Sequence, residues 1–397
     1  MRILHTVEFY HPSVGGMQEV VKQLSERLVK LGHEVTVATT KLPDRKDDTL
    51  NGVKIREFSV SGNLAKGFKG DAQGYKKFLL DSDFDVVTNF AAQQWATDVA
   101  LTVLDDIKAK RVFVPTGFSG LYMKEYKDYF EKMKEWMKKY DMNVFLSEDY
   151  RDINFAKENN VIKRVLIPNG AGEDEFLGVN DIDIRKKLGI PENHFLILHV
   201  GSHTGVKGHK EAIKIFQKAR IKNATFLVIA NKLLGGCTVF CAIKEKSFKR
   251  SIRRFFDRKK LIIASLSRKE TVAAYKAADL FLFPSNIECS PIVLFECMAA
   301  KTPFLTSDVG NAKEIIEWSE AGILLPTEKD KSGYGLSFVD IKKSTRILEE
   351  IYRDKNKREI MEKKGYVAWK EKFSWEKIAR QYESLYEKLL SQKDSKH

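Results

Sequence analysis

The sequence contains little cysteine and no long apolar segment. Four of its 397 residues are cysteines, irregularly spaced at Cys237, Cys241, Cys289 and Cys297. So few cysteines exclude a disulfide-rich secreted scaffold and favour a reduced, cytoplasmic setting. No run approaches the roughly 20 apolar residues that cross a bilayer, and the apolar run Ile3–Val7 is too short for a secretory signal. We therefore expect a cytoplasmic protein, with peripheral contact at the inner membrane leaflet as the alternative to a freely soluble one.

Motifs of several enzyme classes are also absent. No G-x-x-x-x-G-K-[ST] loop occurs, which excludes nucleotide hydrolysis of the P-loop type. The lack of a G-x-G-x-x-G fingerprint counts against an NAD-dependent enzyme. Cys237 and Cys241 could form half of a metal site, but no second pair of ligands follows them at the spacing of a zinc finger. The sequence therefore predicts no bound metal.

Short apolar runs alternate with helical patterns along the chain. Two sets of six runs have the length of strands: Ile3–Val7, Val35–Thr39, Val86–Phe90, Val112–Pro115, Val144–Leu146 and Val165–Ile167, then Phe195–Val200, Phe226–Ala230, Leu261–Ala264, Leu280–Phe283, Phe304–Thr306 and Ile323–Leu325. Such alternation predicts α/β domains with parallel sheets and helices on both faces. We predict a first domain at 1–168, a second at 169–373 and a final helical segment at 374–397, with ligands beyond the carboxyl ends of the strands.

The segment from residue 280 to residue 300 predicts an anion site. Leu280–Pro284 is an apolar run of strand length, and Ile292–Ala300 has the composition of an apolar helix. Ser290 is a suitable N-cap and Pro291 suits the first helical position, so free backbone N–H groups should face the preceding loop. The start of such a helix attracts phosphate.

Two glutamates flank this predicted anion site. Glu288 lies in the loop before the helix, and Glu296 lies between one and two turns inside it. A phosphate bound there would have one carboxylate on each side, and carboxylates accept hydrogen bonds from sugar hydroxyls. A nucleotide sugar fits these requirements. A solvated pair of surface glutamates is the alternative, since the chain has 54 acidic residues.

The glutamate spacing and the flanking segments FLFPS, ECSP and FECMAAKTPF resemble the E-x7-E signature of retaining glycosyltransferases of family 4. The resemblance implies the GT-B architecture, in which two facing Rossmann-like domains enclose a cleft and a C-terminal helix crosses back to the first domain. It implies an acceptor site in the first domain and a donor site in the second. Glu296 would bind the nucleotide ribose and Glu288 the transferred sugar, and the donor would also contact Cys289, Ser290, Pro291, Ile292 and Val293.

Paired glycines after the first strand add to the resemblance. Gly15 and Gly16 precede a helical pattern and resemble the family's glycine loop beneath the donor phosphates and sugar. Glycines let a backbone approach a ligand closely, and the start of the following helix favours negative charge. A plain tight turn is the alternative.

The loop after the first strand of the second domain departs from the family pattern. Lys207 matches a lysine that neutralises the diphosphate, but Ser202 occupies the position of the usual arginine. The loss of one cation weakens diphosphate binding unless another group replaces it. His203 and Lys210 are the candidates for that replacement, and for His203 an exposed loop histidine without a ligand is the alternative.

A second departure lies at Thr116, near which many relatives have a histidine that reaches the reacting sugar. Threonine donates a hydrogen bond but cannot carry protons as imidazole does. In the family, the departing phosphate oxygen is thought to accept the proton of the acceptor, so stabilisation of the leaving diphosphate supplies most of the rate. Thr116, Lys207 and Glu288 are therefore the catalytic candidates.

The distribution of charge bears on the acceptor. The net charge is +14, and the segment 244–260 carries nine basic residues against two acidic ones. Such a segment suits an anionic membrane surface, with a solvated helix face as the alternative, and no nucleic-acid module accompanies it. Residues 121–140 place aromatic side chains on one helical face among lysines, which suits either an interfacial helix or a helix packed on its own domain.

These patterns together predict a cytoplasmic, retaining hexosyltransferase that needs no metal and no cofactor beyond its nucleotide-sugar co-substrate, with UDP favoured over GDP. Asp81-Ser82-Asp83 has the D-x-D form of metal-dependent glycosyltransferases but lies in a polar segment, so we interpret it as a solvated turn. The expected acceptor is a saccharide or a lipid-linked saccharide. A nucleotide-sugar epimerase and a catalytically silent nucleotide-binding relative are the alternatives.

Overall fold

The computed structural model describes residues 1–179, 181–231, 236–250, 256–330 and 335–392. The chain divides into two compact units, Met1–Asn169 with Trp375–His397, and Gly170–Ser374. These limits differ by one residue from the boundaries that the strand pattern indicates. Each unit is built around its own parallel sheet, which is the α/β architecture predicted from the alternation of strands and helices.

The first unit contains an eight-stranded sheet in the order β10-β9-β8-β7-β1-β2-β4-β3, in which all neighbours are parallel except the last pair. A separate antiparallel hairpin joins β5 to β6. The strands are β1 Arg2–Thr6, β2 Glu34–Thr40, β3 Thr49–Leu50, β4 Val53–Phe58, β5 Val60–Asn63, β6 Gly67–Gly70, β7 Val86–Phe90, β8 Lys110–Val114, β9 Met142–Phe145 and β10 Arg164–Leu166.

Helices cover both faces of this sheet. They are Gly16–Lys30, Ala72–Asp81, Trp95–Leu101, Lys127–Lys139, Arg151–Glu158 and Trp375–Ser391, with short 3-10 turns at Leu104–Asp106 and Lys124–Tyr126. The last of these helices comes from the end of the chain and packs on the first. Arg27 forms an ion pair of 2.7 Å with Glu376, and the hydroxyl of Tyr386 lies 2.7 Å from Thr88 Oγ1 and 3.3 Å from His5 Nε2.

The aromatic face within residues 121–140 is not available to a membrane. Tyr129, Phe130, Met133 and Met137 are buried in the core of the first unit, and only Tyr122 among the aromatic residues of this segment is highly exposed. The interpretation as an interfacial helix is therefore wrong, and the alternative of a helix packed on its own domain is correct. Burial of these large side chains contributes more stability to the core than their exposure could contribute to a surface contact.

The second unit contains a six-stranded parallel sheet in the order β13-β12-β11-β14-β15-β16 and an antiparallel hairpin of β17 and β18. Its strands are β11 Phe195–Val200, β12 Ala224–Ile229, β13 Lys259–Ala264, β14 Leu280–Phe283, β15 Phe304–Ser307, β16 Gly322–Leu325, β17 Thr327–Lys329 and β18 Ser337–Val339. The helices are Glu173–Phe176, Ile184–Leu188, His209–Lys218, Thr238–Arg250, Arg268–Ala277, Ile292–Ala299, Ala312–Ser319, Ile341–Arg353 and Lys355–Ala368, followed by the π-helical turn Trp369–Phe373.

The basic segment 244–260 is not one continuous helix face. It begins in the helix Thr238–Arg250 and ends in β13, and residues 251–255 lie outside the described part of the chain. Lys259, one of the nine basic residues, is buried and donates hydrogen bonds to the carbonyl oxygens of Phe216 and Ala219 at 2.6 and 2.9 Å. At least this lysine therefore serves the interior of the second unit.

Candidate functional site

The predicted donor residues of the second unit lie at the carboxyl ends of two adjacent strands. β11 pairs with β14 in parallel, so the loop that follows each of them emerges at the same edge of the sheet. The first loop carries Lys207, and the second, between β14 and the helix Ile292–Ala299, carries Glu288. Neighbouring strands thus bring together two side chains that are 81 positions apart in the chain.

Lys207 and Glu288 form a two-pronged ion pair. The ammonium of Lys207 lies 2.7 Å from Oε1 and 2.9 Å from Oε2 of Glu288. Ser285 Oγ donates to the same carboxylate at 2.7 Å. Both charged side chains are largely buried, with exposed fractions of 29% for Lys207 and 10% for Glu288. The carboxylate of Glu288 therefore fixes the position of the Lys207 ammonium before any diphosphate binds.

Close backbone packing holds these two loops against each other. Gly208 adopts a positive φ of 73°, and a Cβ atom at this position would lie 1.9 Å from the carbonyl oxygen of Pro284. Asn286 N donates to Val206 O at 2.8 Å, which ties the two loops a second time. Only glycine combines this φ with this approach at low cost. The relative position of Lys207 and Glu288 is thus set by the backbone as well as by their own contact.

Glu296 is buried and paired with an arginine that the sequence patterns did not indicate. Arg268 Nη1 donates to Oε1 of Glu296, and two further N–H groups of Arg268 contact the carboxylate of Glu175 at 2.7 Å each. Burial raises the pKa of the Glu296 carboxyl, and the guanidinium of Arg268 opposes that rise. Glu296 is therefore held inside the unit and is not a solvated surface glutamate.

The start of the helix Ile292–Ala299 differs by one residue from the predicted cap. Pro291, with φ −70° and ψ 107°, occupies the N-cap position, and its side chain makes no capping hydrogen bond. Ser290 is therefore not the N-cap, because Pro291 keeps an extended backbone and the first helical turn begins only at Ile292. The N–H groups at the start of that turn belong to Ile292 and Val293, since Leu294 N already donates to Pro291 O at 3.1 Å.

The segment before this helix is supported from behind. Gly310 has a positive φ of 58°, and a Cβ atom there would lie 2.3 Å from the carbonyl oxygen of Cys289. Asn311 N donates to the same carbonyl oxygen at 2.9 Å. These contacts fix the backbone at Cys289, and they therefore restrict the position of the neighbouring residue Glu288.

The two candidates for replacing the family arginine point elsewhere. His203 is buried, and its Nδ1 lies 3.4 Å from Cys237 Sγ, so the alternative of an exposed loop histidine is wrong. Lys210 Nζ lies 5.6 Å from the centre of the Phe240 ring, a cation–π contact. Ser202 accepts a hydrogen bond from Thr204 N through its carbonyl oxygen at 2.8 Å.

The first unit has a cavity of about 360 Å³ at the carboxyl ends of β1, β7 and β8. Thr116 lines it, together with Val7, Glu8, Phe9, Met17, Gln18, Ala91, Ala92, Gln93, Gln94, Pro115, Phe118, Ser119 and Tyr126. Gly15 and Gly16 lie directly before Met17, at the start of the helix Gly16–Lys30. Burial raises the pKa of the Glu8 carboxyl in this wall.

Four wall residues of this cavity hold an unusual backbone conformation. Ala91, Gln93, Thr116 and Phe118 all have positive φ values, of 63°, 63°, 59° and 45°. Residues other than glycine pay about 1–2 kcal/mol for this region, and such residues collect at functional sites. The cavity is therefore the one place in the described part of the first unit where several of them cluster around an opening.

Side chains behind the cavity hold this conformation in place. Tyr129 accepts a hydrogen bond from Gln93 N at 3.0 Å and donates one to Asp98 Oδ1 at 2.7 Å. Burial raises the pKa of Asp98 to about 6, against the hydrogen bonds that stabilise its charge. Next to Thr116, Gly117 N donates to Asp152 Oδ2 at 2.8 Å. The helix Lys127–Lys139, which carries Tyr129, thus supports the cavity wall.

Two family models match this chain. The model described as Glycosyltransferase Family 4 matches residues 14–172, and the model described as Glycosyl transferases group 1 matches residues 180–368. The first match covers the Gly15-Gly16 loop and the cavity wall from Met17 to Tyr126, but not Val7, Glu8 and Phe9. The second covers the Lys207 loop and both glutamates of the E-x7-E spacing.

Curated relatives extend over nearly the whole chain or most of it. An uncharacterized glycosyltransferase of Methanocaldococcus jannaschii is 26% identical, with 97% of this chain and 98% of that protein aligned. The N-acetyl-alpha-D-glucosaminyl L-malate synthase of Bacillus anthracis is 23% identical, with 96% of each chain aligned. The alpha-monoglucosyldiacylglycerol synthase of Streptococcus pneumoniae is 24% identical over 84% of this chain and 77% of its own.

Solved structures share the fold. A sucrose-phosphate synthase from Thermosynechococcus elongatus has a TM-score of 0.77 at 17% identity, over 99% of this chain and all of the other. Anabaena HepE in complex with UDP and glucose has a TM-score of 0.71 at 15% identity, over 98% of this chain and all of its own. Among the described residues, no helix combines the length and the apolar character needed to cross a membrane.

Proposed function

Because the chain belongs to the glycosyl transferases group 1 family, we propose that it is a retaining hexosyltransferase that takes its sugar from a UDP-linked nucleotide sugar. The observation that carries this proposal is the Lys207–Glu288 ion pair beside the first turn of the helix Ile292–Ala299. In this proposal the ammonium of Lys207 and the N–H groups of the helix interact with the diphosphate, and the carboxylate of Glu288 accepts hydrogen bonds from sugar hydroxyls. Glu296 is the ribose ligand of the proposal.

The proposed chemistry places the charge of the leaving group on these residues. The bond between the anomeric carbon and the phosphate oxygen breaks, the acceptor oxygen bonds to the same face of that carbon, and the departing phosphate oxygen takes the acceptor proton. Lys207 and the N–H groups that begin the helix stabilise the diphosphate as its charge develops. Glu288 orients the sugar. No step requires a divalent metal at the diphosphate, because these groups supply the positive charge.

UDP is the proposed nucleotide. Anabaena HepE, which shares the fold, was solved with UDP and glucose. In the first unit, the Gly15-Gly16 loop is the proposed contact for the donor phosphates. Thr116 is the proposed hydrogen-bond donor in the cavity that we assign to the acceptor.

The acceptor that we propose is a saccharide or a lipid-linked saccharide. One aligned relative is named for a malate product and another for a diacylglycerol product, so the acceptor class varies among the relatives. A peripheral membrane contact now rests on the basic segment 244–260, in which Lys246 and Arg258 are exposed, since the aromatic face of residues 121–140 is buried. We therefore propose a cytoplasmic enzyme that binds a lipid-linked acceptor at the inner leaflet of the membrane.

Calorimetry with UDP, GDP and ADP in the absence of divalent metal tests the donor site. We expect tight binding of UDP, weakened by about 1 to 3 kcal/mol in Glu296→Ala, because ribose hydroxyls lose their partner. Glu192→Ala is the matched control, since Glu192 is an exposed glutamate of the same unit. Binding that is equal in wild type and Glu296→Ala would contradict the assignment of the ribose site.

Incubation with UDP-sugars, with and without an acceptor panel of oligosaccharides and glycolipid vesicles, tests the reaction class. A transferase releases UDP in step with product, and the anomeric coupling of the product by NMR gives the stereochemistry. An epimerase would change the sugar without releasing UDP. A silent relative would bind UDP and turn nothing over.

A further inference from the structure

Four potential metal ligands meet in the interior of the second unit. His203, His209, Cys237 and Cys241 each offer one ligand atom, and these atoms all lie within 4.8 Å of one another. All four side chains are buried. His203 belongs to the loop after β11, and His209 begins the helix His209–Lys218. Cys237 directly precedes the helix Thr238–Arg250, and Cys241 is its fourth residue. Three separate segments of the chain thus converge on one point.

The distances among these atoms suit a single tetrahedral ion. Cys237 Sγ lies 3.4 Å from His203 Nδ1 and 3.1 Å from His209 Nδ1, and Cys241 Sγ lies 3.7 Å from His209 Nδ1. In a tetrahedral zinc site with Zn–S near 2.3 Å and Zn–N near 2.0–2.1 Å, neighbouring sulfur and nitrogen atoms are about 3.6 Å apart. These three separations are within about 0.5 Å of that value, and all pairs among the four atoms are within 4.8 Å, so side-chain adjustments can complete the geometry.

The surroundings of His209 match those of a metal-bound imidazole. Its second ring nitrogen, Nε2, lies 3.1 Å from the carbonyl oxygen of Gly201. Donation from Nε2–H to this carbonyl leaves the lone pair of Nδ1 directed at the two thiols. Histidines that ligate metals commonly donate their other N–H to a backbone carbonyl in this manner, which fixes the tautomer and the ring orientation.

Charge balance explains how such an ion can be buried. Two thiolates and two neutral imidazoles around Zn²⁺ carry no net charge, so the complex avoids the cost of an unpaired charge in an apolar interior. Because all four side chains are buried, no further coordination position of the ion would be open to solvent. Closed sites with four protein ligands are structural, whereas catalytic zinc sites keep one position for water or substrate. Mixed sulfur and nitrogen ligands in a tetrahedron favour zinc over harder metals.

We propose that His203, His209, Cys237 and Cys241 bind a structural zinc ion. The ion joins the loop that carries Lys207 to the helix Thr238–Arg250, so it stabilises the loop of the donor site without touching the reaction. On binding, the two thiols lose their protons to the solvent and the imidazoles stay neutral. The proposal stands independently of the sugar transfer, and it does not alter the expectation that the diphosphate needs no metal.

The order of the ligands explains why the sequence analysis predicted no metal. Cys237 and Cys241 were compared with patterns in which the second pair follows the first. In the structure, the second pair is His203 and His209, which precede the cysteines in the chain. The expectation of no bound metal therefore rested on one order of ligands, and the proposed zinc site is the alternative to it.

Metal analysis of the full-length protein provides the first test. The protein is expressed in zinc-supplemented medium and purified through a tag that binds no metal. Its metal content is then measured by inductively coupled plasma mass spectrometry. We expect about one zinc per chain in the wild type, and loss of that zinc in Cys237→Ser/Cys241→Ser and in His209→Asn. Cys297→Ala and His194→Asn are the matched controls, since Cys297 and His194 are buried outside the cluster, and both should retain the zinc.

Cobalt substitution keeps the test decisive if a variant fails to fold. The wild-type protein is stripped with a chelator under reducing conditions and titrated with Co²⁺. We expect the visible bands of tetrahedral cobalt and a thiolate-to-cobalt charge-transfer band, saturating at one equivalent and removed by Zn²⁺. Protein that contains no zinc as purified and shows no tetrahedral cobalt spectrum would overturn the proposal. So would zinc that stays at one equivalent in the folded double cysteine variant.

Discussion

The two units of this protein present different chemistry at the carboxyl ends of their sheets. The second unit builds its candidate site from ion pairs, Lys207 with Glu288 and Arg268 with Glu296. The first unit surrounds its cavity mainly with neutral side chains and a strained backbone at residues such as Thr116. Under the proposed function, the charged site holds the nucleotide sugar and the mainly neutral cavity holds the acceptor. If that proposal holds, one sheet architecture serves two kinds of ligand through the loops that follow its strands.

The largest expected effect is on the charged site of the second unit, where removal of the Lys207 ammonium should lower the rate of transfer. We expect Lys207→Met to lower kcat by about 10²–10³, since the leaving diphosphate loses its main positive charge. The measurement is UDP release at saturating donor and acceptor. Lys214→Met is the control, because Lys214 is an exposed lysine on the next helix. A rate within a factor of two of wild type in Lys207→Met would show that the second unit does not depend on this charge.

Breaking the Arg268–Glu296 pair should destabilise the second unit. Arg268→Met leaves a buried carboxylate without its partner, at a cost of about 3 kcal/mol, reduced from the fully buried case because Arg268 is partly exposed. A lower urea midpoint of unfolding measures this. The double variant Arg268→Met/Glu296→Gln should recover most of the stability without recovering the affinity for UDP. If the double variant is as unstable as the single one, the loss comes from packing of the arginine instead of from charge.

Acid should destabilise the first unit through a buried histidine. Burial lowers the pKa of His5 to about 3, and its ring nitrogens contact Ser25 Oγ and the hydroxyl of Tyr386. The unfolded chain binds the proton more tightly than the folded one, so the contribution of neutral His5 is complete above about pH 6.5 and is lost as the pH falls toward 3. The loss is roughly 2 kcal/mol at pH 5.

His5→Gln tests this pH dependence. Glutamine keeps a neutral hydrogen-bonding group but has no proton to gain in this range. We expect the slope of unfolding free energy against pH between 5 and 7 to be smaller in the variant than in the wild type. Equal slopes in both proteins would contradict the assignment to His5.

Relieving the backbone of Thr116 should have the smallest effect. Thr116→Gly removes the cost of a β-branched residue at positive φ, for a gain of about 1 kcal/mol in unfolding free energy, offset in part by the entropy of glycine in the unfolded chain. If the hydroxyl serves the reaction, kcat falls while stability rises. Unchanged kcat in this variant would remove Thr116 from the catalytic candidates.

The strands of both sheets could be predicted because each is an apolar run bounded by polar residues. All twelve predicted runs correspond to strands of the two sheets, within about two residues at each end. Strands β3 and β4 and the hairpins β5–β6 and β17–β18 were missed, because their sequences are short or are interrupted by polar residues and glycine. Such strands depend on pairing with a neighbour more than on their own composition.

The candidate site was predictable where a motif lies within one segment. Glu288 and Glu296 share one loop and one helix, so their spacing carries the information. Arg268 was missed, because its partners Glu296 and Glu175 are 28 and 93 positions away in the chain. The cap at Ser290 was wrong by one residue, since both a serine N-cap and an N-cap proline agree with the local sequence.

The helix Trp375–Ser391 has a consequence for synthesis on the ribosome. It supplies Glu376 to Arg27 and Tyr386 to His5 and Thr88, yet these partners are made more than 280 residues earlier. While the chain grows, the first helix has no cover for the face that these contacts bury. The second unit is continuous in the chain and is complete before that helix emerges. The unit that is translated first is therefore the one that finishes folding last, and a stalled chain would expose it to chaperones and proteases.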